Sequence, residues 1–364
     1  NGASFPVAPA EQTFTTPAAI CAGDISSADF SQGNPDANTI VVADGDGAVI
    51  LRPAFTEDFS GTSLPAGWTE LLYTGSASTY SDGLILVDGA HIYSAGTFGP
   101  GSSLEFSASF NAGNYQNIGF SVNAQFAAPW AVIGRGTQGD NNLYARATTG
   151  GTVTEVMLGS NLLGALHNYR IKWNTDNFEF YVDGSETPAV TLPVTISTTM
   201  LIQISDYVAS GAILSVDWIR ASPYVASGSF TSRVFDGVSQ RNWGEVFWNA
   251  DTPVGASCNI FVRGGDTPLP DGSWTPFIQV PGPGSPAGAV SRFIQYRADL
   301  TATNTLYTPV LRDLTITCTE AGESAPVISL NPSSQTVCSG SAVTFTSAAT
   351  GFPSPSNMIF APKP

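Results

Sequence analysis

The residues of this chain best suited to chemistry are aromatic rings and planar polar side chains between positions 116 and 207. They are Gln116, Asn117, Trp130, Arg135, Tyr144, Arg146, Asp206 and Tyr207. Aromatic faces stack on the C–H groups of sugars, and amide, carboxylate and guanidinium groups bond to sugar hydroxyls. The set therefore predicts a glycan-binding surface. The alternative is structural, with Trp130 filling a core and Tyr144 and Arg146 on a half-buried strand.

No catalytic residues with a familiar spacing accompany this set. The chain has 2 histidines, so a Ser-His-Asp site would have to use His91 or His167. His167 begins a predicted strand, which favours a structural role. The sequence has no Gly-x-Ser-x-Gly elbow and no His-rich metal cluster. The carboxylates Glu105, Glu179 and Asp206 remain as candidates for an atypical hydrolase.

The composition indicates an all-β protein outside the cell. The 364 residues include 37 Gly and 25 Pro, and only 12% are charged, which is typical of a β chain with many turns. A net charge of −16 argues against nucleic acid and anionic lipid as partners, since both need a basic surface. No apolar run approaches a membrane span, so no membrane insertion is expected. The chain begins at Asn1 without a signal-peptide pattern, which predicts a processed, secreted protein associated with the cell surface.

Alternating residues predict the strands of a two-sheet sandwich. Tyr169, Ile171 and Trp173 face one side of a strand, and residues 178–182 repeat the alternation before an Asp-Gly turn. Further strands are predicted at 104–110, 118–122 and 214–219. No stretch of useful length has a helical period. The predicted fold class is therefore tandem β-sandwiches.

Residues 54–224 resemble the concanavalin A-like lectin/glucanase domains and the related laminin-G-like domains. The resemblance is carried by Asp-Phe-Ser-Gly-Thr-Ser-Leu at 58–64 with Trp68, by 167–184, by 205–207 and by 215–218. It implies a jelly-roll sandwich with a concave face that often binds glycans. The glucanase branch cleaves with a Glu-x-Asp-x-x-Glu strand, which places its carboxylates on one face. Here Glu105 is alone on its strand, and Glu179 with Asp183 runs into a turn, so those catalytic residues are not carried over.

Residues 1–53 form a leader with one predicted hairpin. Residues 39–42 and 48–51 flank Asp44-Gly45-Asp46-Gly47, which is typical of a hairpin turn. The string is also similar to a calcium loop, but the later carboxylate and flanking helices of such a loop are missing. We therefore expect no cofactor; calcium is permitted and not demanded.

Two further segments follow the lectin-like domain. Residues 225–318 resemble galactose-binding-like β-sandwich modules through 232–236, 243–248, 292–300 and 308–316. Residues 319–364 resemble a linker and the start of a bacterial immunoglobulin-like repeat, carried by 332–340 and 343–345. Because the tail is too short for a complete repeat, its strands should pair with the leader at 39–51, a neighbouring subunit or the rest of the domain.

The 4 cysteines lack the spacing of a metal site. Cys258 and Cys318 lie on two predicted strands of one segment and predict a disulfide. The expected stabilisation is about 4 kcal/mol in the loop-entropy model. Cys21 then pairs with Cys338 or stays free.

The tryptophans are predicted to be mostly internal. Trp68, Trp173 and Trp218 should lie in the first core, and Trp243 and Trp248 in the second domain. Trp274 follows a Pro-Asp-Gly-Ser turn and should be the most exposed of the later ones.

Three functions fit these observations. The leading hypothesis is a non-catalytic glycan-binding or adhesive module of a secreted or surface-exposed bacterial protein, with a polysaccharide or glycoconjugate as partner. The second is a structural subunit of an extracellular filament or surface layer, self-associating through terminal segments by strand pairing. The third is a polysaccharide-active hydrolase with an atypical carboxylate site.

Overall fold

The computed structural model describes residues 19–320 except 74–76, 137–139, 160 and 210; in the tail it describes 324–330, 333, 336, 338, 346 and 348–352. Within these residues one four-residue helix accompanies 27 strands, which confirms the all-β fold class. None of the described helical residues forms a helix long and apolar enough to cross a membrane.

The leader and the first sandwich contain nineteen strands. The described leader contains β1 Ala19–Asp24, α1 Ser27–Phe30, β2 Asn34–Pro35, β3 Thr39–Val42 and β4 Ala48–Leu51. The first sandwich contains β5 Pro53–Glu57, β6 Trp68–Leu72, β7 Thr79–Ser81, β8 Leu84–Val87, β9 Ala90–Phe98, β10 Ser102–Ser109, β11 Gln116–Ser121, β12 Trp130–Gly134, β13 Leu143–Thr148, β14 Thr154–Gly159, β15 His167–Trp173, β16 Phe178–Val182, β17 Val190–Leu192, β18 Met200–Asp206 and β19 Leu214–Tyr224.

The remaining strands follow the junction between the two sandwiches. They are β20 Ser227–Thr231, β21 Phe235–Asp251, β22 Ala256–Gly265, β23 Ile278–Gln279, β24 Ser285–Ala302, β25 Val310–Glu320, β26 Ser324–Leu330 and β27 Ala348–Phe352.

The first sandwich consists of two antiparallel sheets. The eight-stranded sheet has the order β17-β16-β15-β10-β19-β8-β7, with β5 paired to β19. The seven-stranded sheet has the order β14-β13-β12-β11-β18-β9-β6. Ile118 and Phe120 of β11 and Ile171 and Trp173 of β15 meet in the core between them. Burial of each such side chain contributes about 1.5–3 kcal/mol. Because side chains alternate along a strand, Asn117 of β11 must lie on the outer face of the seven-stranded sheet.

The leader hairpin belongs to the second sandwich instead of standing apart. Strand β4 pairs with β25 through Ile50 opposite Val310 and Val49 opposite Leu311. The resulting ten-stranded sheet has the order β2-β20-β24-β21-β25-β4-β3, with β1 on β25, β22 on β24 and β23 on β22. All four residues of β4 are buried, which explains why this hairpin needs a sheet to cover it.

Among the described residues, neither tail strand pairs with the leader hairpin, which was one of the three expected partners. Strand β26 pairs with β27, with Val327 opposite Thr350 and Ile328 opposite Ala349. Val343 and Phe345, which the sequence predicted as a further strand, lie outside the described residues.

The predicted disulfide between Cys258 and Cys318 is wrong, because Cys318 is bonded to Cys21. Cys318 lies on β25, where its register partner on β1 is Ala19. Cys258 lies on β22, which pairs with β24, and β21 separates β24 from β25 in the sheet order. Cys258 and Cys338 are free thiols, so a Cys21–Cys338 bond is excluded as well.

Two tryptophans differ from expectation. Trp274 is only 7% exposed, because its Nε1 donates to Thr267 Oγ1 at 2.9 Å and its ring lies against Gly265. Trp218 is buried, but it lies beneath the guanidinium of Arg220 instead of joining the core cluster that contains Trp68 and Trp173. Trp243 is in the second core, and Trp248 packs against it, as expected.

Candidate functional site

All eight residues singled out from the sequence lie on the seven-stranded sheet or directly beside its strands. Gln116 and Asn117 begin β11, Trp130 begins β12 and Asp206 ends β18. We call the outer side of this sheet the aromatic face. It is defined by Tyr73, His91, Tyr93, Tyr115, Phe126, Trp130, Tyr144, Arg146 and Tyr207.

At one end of the aromatic face, four rings are in contact with each other. The Tyr207 ring centroid lies 4.8 Å from that of Tyr73 and 5.9 Å from that of Tyr115. Tyr73 stacks on His91 at 5.7 Å, and its hydroxyl is 2.8 Å from His91 Nδ1. Tyr207 and Tyr115 are 49% and 39% exposed, so this end of the face is open to a ligand.

The row of rings continues along the same face through Phe126, from His91 on β9 to Trp130 on β12. Its ring lies 5.8 Å from His91 and 5.9 Å from Trp130. The guanidinium of Arg146 lies 5.5 Å from the centroid of the Trp130 ring. The result is an unbroken sequence of ring contacts from Tyr115 to Trp130, and it ends at a cationic group.

Arg146 is held in place by two polar partners. Its Nη1 donates to Asn117 Oδ1 at 3.1 Å, and its Nε donates to Glu155 Oε2 at 3.0 Å. Glu155 is the register partner of Arg146 on the neighbouring strand β14. Since Asn117 is buried, it positions Arg146 and does not itself offer contact area to a ligand.

Tyr144 is positioned through a loop that a buried arginine supports. Its hydroxyl donates to Asp140 Oδ2 at 2.6 Å, which lowers the pKa of Asp140 and raises that of Tyr144. Arg135 is buried; it donates from Nη1 to the carbonyl of Asn111 at 3.2 Å and from Nη2 to the carbonyl of Asp140. Arg135 therefore stabilises the segment that holds Tyr144.

Tyr207 follows a buried pair on neighbouring strands. Gln116 and Asp206 are register partners, and Gln116 Nε2 donates to Asp206 Oδ2 at 2.8 Å. Asp206 also accepts the backbone N–H of Val208 at 3.3 Å. Burial raises the pKa of Asp206 to about 6. This pair fixes the turn that presents Tyr207.

The eight residues thus divide into two groups of different accessibility. Gln116, Asn117, Arg135 and Asp206 are buried. Trp130, Tyr144, Arg146 and Tyr207 are half-buried or exposed. The structure brings all eight to one sheet, and the accessible members are those that can contact a ligand.

Two aromatic residues of the face have a backbone conformation that bulky side chains rarely adopt. Tyr115 has φ 63° and Phe126 has φ 59°, both in the left-handed region. This region costs an L-residue roughly 1–2 kcal/mol. Strain of this kind is often found at functional sites, and here both residues carry rings of the aromatic row.

Catalytic carboxylates of the glucanase kind would lie at alternate outward positions of one strand. Within the described residues, no strand of the seven-stranded sheet has two carboxylates at alternate outward positions. On β12, for example, these positions are occupied by Trp130, Val132 and Gly134. Asp206 is 0% exposed, and Glu105 and Glu179 lie on the other sheet. The described residues also contain no group of three or more His, Cys, Asp or Glu suited to a metal ion.

Sequence reasoning missed several members of the aromatic face. His91 and Tyr93 alternate with the core residues Ala90 and Ile92 on β9, and this alternation is a signal that could have found them. His91 is fully buried, and burial lowers its pKa, so its ring is neutral at pH 7. Tyr73, Tyr115 and Phe126 lie outside regular strands, where no period marks them.

Comparison with known proteins relates the first sandwich to carbohydrate-active proteins. The model of glycosyl hydrolases family 16 matches residues 132–219, from β12 to β19. No curated protein matches the chain.

Similar solved structures cover about half of the chain. A glycosyl hydrolase family protein from Mycobacterium fortuitum has 15% identity and a TM-score of 0.39, over 47% of this chain and 100% of that chain. An immunostimulatory antigen and pseudo β-1,3-glucanase of Mycobacterium tuberculosis has 14% identity and a TM-score of 0.36, over 46% and 98%. The Bacillus licheniformis β-glucanase has 17% identity and a TM-score of 0.35, over 46% and 97%. The match of the family model over residues 132–219 relates this sandwich to glycosyl hydrolase family 16.

Proposed function

We propose that the chain is a non-catalytic glycan-binding module, and that the aromatic face is its binding surface. The observation that supports this most strongly is the row of rings from Tyr115 to Trp130, with the planar group of Arg146 at its end. Rings stack on the apolar faces of sugars, and planar polar groups bond to their hydroxyls. The family 16 match supports a polysaccharide as partner.

The chemistry of the face favours a neutral, extended glycan. Arg146 is the one guanidinium among the residues that define the face, and it is already paired with Glu155 at 3.0 Å. These residues therefore provide no unpaired cation that could attract an anionic ligand. A row of rings suits a chain that lies along the sheet, since sugars can stack on its accessible rings while their hydroxyls reach Tyr144 and Arg146. His91 is buried and only connects its neighbours in the row. We therefore expect affinity to increase with the length of the oligosaccharide.

Hydrolysis by this face is disfavoured by the positions of the acidic groups. Burial raises the pKa of Asp206 to about 6, a value suited to a general acid, but its carboxylate is buried and accepts from Gln116. Glu155, which is accessible, is paired with Arg146. Among the described residues at outward strand positions, no second carboxylate lies across a groove from Asp206 or from Glu155, as hydrolysis would require.

An extracellular location and an adhesive role belong to the same proposal. The Cys21–Cys318 disulfide supports an oxidising compartment, where such bonds persist. Binding of a cell-wall or matrix polysaccharide outside a bacterial cell would use the aromatic face directly. Self-association through the β26–β27 segment would be a separate property of the tail.

The experiment is a pull-down with insoluble neutral polysaccharides, followed by analysis of soluble products. The wild-type chain should bind at least one polysaccharide and release no oligosaccharides from it. Tyr207→Ala and Trp130→Ala should each weaken binding about tenfold, on the order of 1.4 kcal/mol. Phe247→Ala is the matched control, because Phe247 is 41% exposed and lies on the ten-stranded sheet. Release of products, or equal binding by all four proteins, would contradict the proposal.

A further inference from the structure

A second concave site lies where the two sandwiches meet, on the sheet opposite to the aromatic face. This cleft has a volume of about 680 Å³, within the range of small-ligand sites. The eight-stranded sheet supplies Arg170, Trp218 and Arg220 to it, and the second sandwich supplies Asp44, Tyr307 and Arg312. The site is complete only when both parts of the chain are present.

The cleft contains a buried arginine whose bonding capacity is not filled. Arg220 is 3% exposed, its Nε has no hydrogen-bond partner among the described residues, and its guanidinium stacks on Trp218 at 3.9 Å. Trp218 is 6% exposed, and its Nε1 also finds no partner in the described part of the chain. Buried donors are normally paired with an acceptor, so both donors are available to an acceptor that a ligand supplies.

Asp44 lies between two arginines of the cleft and is too far from both for direct hydrogen bonds, although Arg312 also bonds directly to Asp251 at 2.7 Å. Asp44 Oδ2 lies 3.7 Å from Arg220 Nη1 and 3.7 Å from Arg312 Nη1. Charge-assisted hydrogen bonds of this type measure about 2.7–2.9 Å. A polar contact beyond about 3.5 Å is where a bridging oxygen is expected. A hydroxyl fits this position, because it accepts from an arginine and donates to a carboxylate.

Aromatic rings and a third arginine form another wall of the cleft. The guanidinium of Arg170 lies 3.9 Å from the Tyr181 ring centroid and 4.5 Å from that of Tyr307. Its Nε has no partner within the residues that the structure describes. Tyr307 comes from the second sandwich, so this stack joins the two parts of the chain and gives the cleft a rigid wall.

The charge of the lining selects the class of ligand. Five carboxylates line the cleft, against three guanidiniums. An anionic ligand would meet a net negative surface, whereas the unpartnered donors require oxygen acceptors. A neutral polyhydroxylated molecule supplies acceptors and donors without charge. We propose that this cleft is a second, independent site for a neutral oligosaccharide, built jointly by the two sandwiches.

The test separates the two sites by variants that fill or disable one of them. Arg220→Ala is the obvious change, but removal of a buried arginine endangers the fold. Asn168→Trp is preferred, because Asn168 is exposed and lines the cleft, so a large ring there blocks the site. Thr191→Trp is the matched control: it is an exposed position on β17 of the same sheet, outside the lining. Circular dichroism and thermal melting establish that each variant is folded.

The probes are short neutral oligosaccharides of the β-glucan, xylan, mannan and galactan series, with oligogalacturonate as the acidic probe. Titration calorimetry is performed on the full chain carrying Trp130→Ala and Tyr207→Ala, which disable the aromatic face. At least one neutral probe should bind this protein with an affinity of roughly millimolar or better. Adding Asn168→Trp should weaken that binding at least about tenfold, and adding Thr191→Trp should leave it unchanged.

Three results would overturn the inference: no neutral probe binds the face-disabled chain, Asn168→Trp leaves binding unchanged, or oligogalacturonate binds more tightly than every neutral probe. Failure of the proposed function gives a different result, in which Trp130→Ala and Tyr207→Ala do not weaken binding by the otherwise wild-type chain. The two claims therefore succeed or fail separately.

Discussion

Gln116 and Asp206 face each other on neighbouring strands, and Gln116 Nε2 donates to Asp206 Oδ2 at 2.8 Å. Both side chains are buried. The carboxyl of Asp206 has lost its water, and a single amide donor and one backbone N–H do not replace it. Burial consequently raises the pKa of Asp206 to about 6, while the pair fixes the turn that carries Tyr207.

The first prediction concerns stability between pH 4 and pH 6. Asp206 has an ordinary pKa of 3.8 and a folded pKa of about 6, so the folded chain holds an extra proton in this window. Its free energy of unfolding should therefore fall as the pH rises from about 4 to about 6 on account of this group. Asp206→Asn removes the titration, so the stability of the variant relative to wild type should rise across the same window. Urea unfolding at several pH values measures this; a difference that is constant or falls with pH would contradict it.

The second prediction concerns the bond between the first described strand and the last strand of the ten-stranded sheet. Peptide mapping by mass spectrometry should find Cys21 joined to Cys318 and Cys258 as a free thiol. Replacing both bonded cysteines by serine should lower the free energy of unfolding by about 2–5 kcal/mol, because the bond closes a very long loop.

Cys258→Ser serves as the control for that experiment. Burial raises the pKa of the Cys258 thiol to about 12, so it should resist alkylation in the folded chain. Rapid labelling of Cys258 would show that its thiol is accessible in the folded chain, and an equal loss of stability in the control would show that the pairing is different.

The third prediction separates stability from binding at Tyr115. Its φ of 63° suits glycine or asparagine, and its ring is exposed at the end of the aromatic row. Tyr115→Gly and Tyr115→Asn should keep or raise stability by up to about 1 kcal/mol, and both should weaken glycan binding. Calorimetric melting and glycan titration measure the two effects; a loss of stability with unchanged affinity would show that the ring is structural.

The sequence predicted the core of the first sandwich well, because strand alternation is a local signal. Phe106, Ile171 and Trp173 fall on predicted strands and are buried. The eight site residues also come to one sheet, since most of them lie on strands or directly beside them. What alternation could not show is which of them are accessible, as the buried Gln116 and Asp206 demonstrate.

The errors arise where the answer depends on pairing between distant parts of the chain. Cys21 lies next to Cys318 only because β1 joins β25 across almost the entire sequence. Trp274 is buried because a loop folds back onto Gly265, although the Pro-Asp-Gly-Ser turn before it suggested exposure. Phe126 enters the aromatic row through a left-handed backbone conformation that no composition rule anticipates.

Amide chemical-shift mapping shows whether the aromatic face is the surface that binds a neutral glycan. The full chain, labelled with nitrogen-15, is titrated with a soluble oligosaccharide of the polysaccharide that binds best in the pull-down. Binding by the aromatic face predicts saturable shifts in the loops and strands that carry Tyr115, Trp130, Arg146 and Tyr207, with the oligosaccharide recovered intact. Shifts confined to the ten-stranded sheet, or cleavage of the oligosaccharide during the titration, would contradict it.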